Sequence, residues 1–108
     1  MPQFLISFPG EAMQLSPDEF EQAGKDANAV VDELKEAGVL VFAAGIDETT
    51  DPVMVAADGT VTSETYPQTK EFNGGLTVVD VQSRDEALKW AAKIATACRC
   101  SQEVRAVF

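Results

Sequence analysis

The chain has 108 residues, with eighteen acidic against eight basic side chains and no histidine, for a formal net charge of −10. That length sets a single domain over residues 1–108, large enough to bury a core without disulfides or metal. At this charge a polyphosphate backbone or an anionic lipid surface is repelled over about 8 to 10 Å, so nucleic acid and membrane are unsuitable partners; no apolar run reaches the roughly 20 residues of a membrane span and no secretory leader is visible, so a cytoplasmic protein is expected.

Phe4, Ile6 and Phe8 alternate with Leu5 and Ser7, the period of a strand with one strongly apolar face and a second that is only partly polar. Pro9-Gly10 ends it. Ser16-Pro17-Asp18-Glu19 then opens a helix: the serine hydroxyl caps the first turn, proline takes the first helical position and Glu19 completes a capping box. Phe20, Ala23, Ala27, Val30, Val31 and Leu34 recur at helical spacing and predict the buried face. Gly38 supplies the left-handed residue that stops the helix, and Val39 to Ala44 follows as an apolar strand.

Gly45 to Pro52 is a polar turn whose Asp47, Glu48 and Asp51 invite a cation. The alternation and terminal glutamate of a calcium loop are missing, so a solvated acidic turn is expected, with no metal. Val53–Ala57 and Thr60–Thr62 read as a hairpin around an Asp58-Gly59 corner. The connection Val61 to Gly75 is longer than the 12 or so residues at which unstructured loops become uncommon, and loops of that length are usually binding segments, lids or disordered linkers. Tyr66 and Phe72 give it aromatic anchors. Gly74-Gly75 precedes a strand instead of opening a helix, so it is not a phosphate loop.

Leu76 to Val81 is the next strand, and Ser83-Arg-Asp-Glu86 repeats the capping-box pattern. Ala87, Leu88, Ala91, Ile94, Ala95 and Cys98 form the second helix's apolar stripe, with Trp90 at its margin, and Glu103 to Phe108 closes the chain as a strand. Cys98 and Cys100 are too few and too close for a four-ligand zinc site. A buried Cys98 and a partly exposed Cys100 are expected, and a redox pair at this spacing would be strained.

The order strand, helix, strand, hairpin, strand, helix, strand predicts an α+β fold of ferredoxin-like type, with both helices on one face of one sheet. The other face needs a cover, because Val39 to Ala44 and the pairs Phe4/Leu5, Val78/Val79 and Val104/Val107 offer apolar groups to both sides. Burial at roughly 25 cal/mol per Å² outweighs a screened charge repulsion. A homodimer packed sheet to sheet is the expectation.

The residues Leu34-Lys-Glu-Ala-Gly-Val-Leu40, the Val53 to Thr62 hairpin, Thr69-Lys70-Glu71, Gly74-Gly75, Asp85-Glu86-Ala87-Leu88-x-Trp90-Ala91 and Glu103-Val104-Arg105-x-Val107-Phe108 together resemble the YCII-related domain proteins. Within them the chain is similar to the branch named for an Asp-Gly-Pro-Phe motif. The resemblance implies a dimeric α+β barrel of the ferredoxin-like kind and a regulatory association suggested by genes beside those of extracytoplasmic-function sigma factors; the sequence itself names no cofactor, and none is expected. The chain departs from the branch at Ser63-Glu64-Thr65-Tyr66, where the signature's glycine and proline are gone, and from enzymes of the wider family, whose His-Asp pair it cannot form.

Lys70 and Glu71 match the family's Thr-Lys-Glu triplet and lie in the long loop. A lysine in a partly apolar cleft, oriented by a neighbouring carboxylate, could act as base or hold an anion; the alternative is an exposed pair worth little. Tyr66 offers a hydroxyl to a ligand or a ring that pins the loop to the core, the second being the commoner role. Arg105 presents a fork suited to a carboxylate, of a ligand or, more simply, of Glu103 or Asp80. Two functions follow. One is a binding or regulatory module with a cleft near the loop, taking a small organic anion through Tyr66, Thr69, Lys70, Glu71 and Arg105, or a regulatory protein partner. The other is a small histidine-independent enzyme of isomerase or lyase type, with Lys70 or Glu71 as catalytic candidates.

Overall fold

A computed structural model describes residues 1–108. Strands β1 (Gln3–Phe8) and β2 (Leu40–Gly45) are separated by helix α1 (Pro17–Glu36). The short strands β3 (Met54–Val55) and β4 (Val61–Thr62) follow, then β5 (Gly75–Asp80), helix α2 (Arg84–Cys98) and β6 (Glu103–Val107). Four strands form one sheet in the order β2-β5-β1-β6, and every pairing in it is antiparallel. The fold is thus mixed α+β, and no helix is long and apolar enough to cross a membrane.

The register follows from the alternation of apolar residues. Phe4 sits opposite Val79, and Ile6 opposite Thr77, so one set of side chains points together towards the helices. Ile6, Leu34, Val79 and Val81 are the largest fully buried side chains, closed over by Val30, Ala87, Ala91 and Ile94. The small residues of α2 let the helix lie close to the strands.

Helix α1 starts as the sequence requires. Ser16 Oγ accepts from Glu19 N at 3.3 Å while Ser16 N donates to Glu19 Oε1 at 3.2 Å, the reciprocal pair of a capping box. The helix stops where Gly38 takes a φ of +72°. At α2 the box is only half formed: Ser83 Oγ accepts from Glu86 N, but the Glu86 carboxylate accepts from Gln82 N. Two residues assigned to buried stripes depart from them. Phe20 is 58% exposed and Leu88 40% exposed; Phe20 borders a cavity between its helix and the sheet instead of closing onto the core. Cys98 is buried and Cys100 half-buried, both as free thiols.

The hairpin stands apart as its own two-stranded sheet. Its corner is not the two-residue Asp-Gly turn expected. Gly59 N donates to Ala56 O at 2.9 Å and Ala56 N to Thr60 O at 2.8 Å, so the loop is Ala57-Asp58-Gly59. Only Gly59 has a positive φ, +91°, as in a type I turn closed by a left-handed glycine. Asp58 caps this turn by accepting from Thr60 N at 2.9 Å.

On the sheet face away from the helices, Leu5, Val78 and Phe42 line up in one row and Ser7, Leu76 and Ala44 in the next. A bulge between Leu40 and Phe42 turns Val41 out of the ladder. Phe42 is 54% exposed.

Desolvation pushes the Cys98 thiol up from 9.0 to about 11, with the neighbouring Cys100 adding to the rise. A raised thiol favours the folded chain while it stays protonated, so this contribution is complete below pH 9 and is lost as pH climbs towards 11. Urea unfolding should therefore show stability falling over that window by on the order of 2 kcal/mol, and Cys98→Ala should remove most of that slope.

Candidate ligand-binding site

The long loop is held at its far end by backbone contacts. Gly74 lies so close to β1 that a side-chain carbon there would collide with the Phe8 carbonyl oxygen and approach Gly10 N to 2.8 Å. Gly10 N donates to Asn73 Oδ1 at 2.9 Å, and Ile46 N to Gly74 O at 2.7 Å. A carbon on Gly75 would come within 2.9 Å of the Phe8 ring. The two glycines therefore let the loop enter the sheet between the end of β1 and the end of β2. Excluding them as a phosphate loop leaves this role unseen in the sequence; a glycine pair just before a central strand is the available signal of close approach.

Between β4 and this clamp the backbone is ordered by its own hydrogen bonds. Thr69 N donates to Tyr66 O at 3.1 Å and Phe72 N to Thr69 O at 3.0 Å, around a 3-10 turn at Pro67–Thr69. The loop faces the acidic turn that follows β2. That turn is organised by Asp47, whose carboxylate accepts from Thr49 N at 2.9 Å and Thr49 Oγ1 at 2.6 Å, with Thr50 Oγ1 at 3.4 Å. These hydrogen bonds, led by the one from the Thr49 hydroxyl, hold its carboxyl below the usual range. Asp47 is thus committed to the turn's own structure, as a solvated acidic turn predicts.

A cleft of about 530 Å³ separates the two walls, within the range of small-ligand pockets. Tyr66, Thr69 and Lys70 line it from the loop, with Glu64, Phe72 and Asn73; Ile46, Glu48, Val53 and Val55 face them. On the other side of the loop a cleft of about 450 Å³ opens over the sheet face turned away from the helices, lined by Leu5, Ser7, Thr69, Glu71, Phe72, Glu103 and Arg105. The five residues singled out in the sequence are therefore divided: Tyr66 and Lys70 on one cleft, Glu71 and Arg105 on the other, and Thr69 on both.

That division changes several assignments. Lys70 and Glu71, neighbours in sequence, line different clefts, and neither is in an ion pair. Both are exposed, so the buried, carboxylate-oriented lysine that a base would need is not formed. Tyr66 is 67% exposed and Phe72 is exposed as well, so neither ring pins the loop to the core; backbone packing at Gly74 does so instead. Arg105 Nη2 lies 3.3 Å from Glu103 Oε2, one of the two carboxylates of the chain expected for it beside that of a ligand.

The profile of the YCII-related domain matches residues 4–108. The chain belongs to the YCII-related domain family. The match spans the main sheet, both helices and the loop, so both clefts of this YCII-related protein lie inside the family's domain. No curated protein is significantly similar to the chain.

Gly74→Ala should destabilise the fold by about 1–3 kcal/mol, the range for forcing a group into filled space, read as a lowered urea midpoint. Gly45→Ala, where a side-chain carbon meets nothing within 4 Å, should leave that midpoint unchanged or raise it.

Proposed function

We propose that this YCII-related protein is a homodimeric small-molecule-binding module of the cytoplasm, of the branch named for Asp-Gly-Pro-Phe, on a ferredoxin-like plan. The ligand enters the cleft between the acidic turn and the loop. The observation that carries this reading is the convergence of Lys70 with the Tyr66 and Thr69 residues on one wall and Glu48 and Glu64 in the same 530 Å³ space. A lysine among carboxylates suits a ligand with one anionic group and hydroxyl or amine groups beside it, and opposes a polyanion.

Dimerisation is supported by the apolar row through Leu5, Val78 and Phe42, since a contiguous apolar patch on a soluble chain commonly marks an interface. The strand order β2-β5-β1-β6 supports the ferredoxin-like plan. The exposed Tyr66 and Phe72 give the loop an outer surface by which a regulatory protein could sense an occupied cleft. The histidine-independent isomerase or lyase reading is the weaker, because the exposure of Lys70 and its separation from Glu71 remove the arrangement that reading requires.

Thermal-shift screening with small zwitterions and hydroxy acids tests the binding role. A ligand at 100 times its Kd adds about 2.7 kcal/mol of stability, and Lys70→Ala should abolish the shift. A shift that survives the substitution, or none across the set, overturns the assignment. In sedimentation at low micromolar concentration the mass should be twice the 11.6 kDa of one chain; a single-chain mass would overturn the dimer.

A further inference from the structure

A third cavity, of about 360 Å³, lies between α1 from Phe20 to Val31, the end of α2 at Ile94 and Cys98, and the helix side of the sheet. Of the residues that line it, it shares only Phe8 with the cleft over the opposite sheet face, and none with the cleft at Lys70. No charged side chain lines it, in a chain with eighteen acidic and eight basic residues. Small residues, Ala23, Gly24 and Ala27 on the helix and Ala43 and Gly45 on β2, alternate in its walls with larger apolar ones such as Phe8, Met13, Leu76 and Ile94. Thr77 and Asn28 supply the polar groups, and Cys98 contributes a thiol that burial keeps protonated.

Gly24 is the informative residue. It sits in the interior of a 20-residue helix, where glycine costs roughly 0.5–1 kcal/mol relative to alanine. A side-chain carbon there would meet nothing within 4 Å, and its φ is not positive, so neither close packing nor backbone conformation calls for glycine. Gly45, on the facing strand, is in the same position. What the two share is a place in the lining of this groove, where both are exposed. Phe20, which the helix periodicity assigns to the core, instead stands at the border of this space, 58% exposed.

We propose that this groove is a binding site for a small, uncharged, apolar ligand, an aromatic ring or a short hydrocarbon chain, kept open by Gly24 and Gly45. The neutral lining selects against ionised molecules, which would lose hydration without gaining a partner. A second copy docked on the opposite sheet face would leave the groove free, so this site does not depend on the function proposed above.

The probe is N-phenyl-1-naphthylamine, a neutral fluorophore. Its emission should rise saturably with one site per chain, and the related sulfonate, 1-anilinonaphthalene-8-sulfonate, should bind at least ten-fold more weakly. Gly24→Leu should weaken the neutral probe at least ten-fold while circular dichroism and Tm stay at or above wild type; if that variant fails to fold, Ala27→Leu fills the same space. Lys70→Ala and Phe42→Ser should leave binding unchanged. No saturable signal, equal binding of the sulfonate, or unchanged affinity in a folded filled variant overturns the proposal. Loss of binding in Lys70→Ala or Phe42→Ser would put the probe in the loop cleft or on the open sheet face and overturn it too. Affinity that falls as the chains self-associate would put a second copy in the groove and likewise overturn the ligand site.

Discussion

The antiparallel pairing of β1 with β5 is the constraint on which the remaining structure depends. These are the two central strands, and their register runs from Gln3 opposite Asp80 to Phe8 opposite Gly75. At one end it stacks Phe4 on Val79 and so creates the floor on which both helices pack. At the other it brings Phe8 to Gly75 and Gly74 against the Phe8–Gly10 backbone. One ladder thus sets the core and also the position of the loop, since a shift of one residue would turn Ile6 and Val79 to the wrong face and put a side chain where Gly74 must fit.

The two ends are built differently. Around Leu34, Val39, Val79, Val81 and Ala87 the packing is closed. Beyond the tight contact of Gly74 and Gly75 with Phe8, three cavities open around the loop and the two faces of the sheet, while a fourth, of about 490 Å³, lies between α1 and α2. The same strands thus carry the closed core at one end and the mouths of these three cavities at the other. The net charge of −10 does not oppose such a division, because acidic groups spread over an outer surface are screened while burial of apolar area is local.

Much of this organisation is legible in the sequence. The alternation in Phe4 to Phe8, the capping residues Ser16 and Ser83 and the stop at Gly38 locate the main elements, because each is decided by neighbours a few residues away. The borders of the helix faces are not decided locally. Phe20 and Leu88 keep the right period, yet both are exposed, because period places a residue on a face and does not say how far the packing over that face extends. The site is half legible. Loop length and unlike functional groups point to Tyr66, Thr69, Lys70 and Glu71, but the direction of each side chain depends on the 3-10 turn at Pro67–Thr69, which sends Lys70 and Glu71 to opposite clefts. The opposing wall comes from the Ile46–Val55 segment, near in space only because Gly45 pairs with Gly75.

The arm between Ile46 and Gly74 carries one further meaning. It leaves and rejoins the domain at two points held to each other by the bond from Ile46 N to Gly74 O, while its own hairpin forms a sheet separate from the main one. Because lengthening a closed loop adds only about 0.6 kcal/mol per doubling, what lies between those points can be shortened, extended or rewritten with little penalty to the body of the protein. The domain is thus a closed body with an insert hung from one pair of adjoining points, whose length is set by its own contacts more than by the closure of the main sheet.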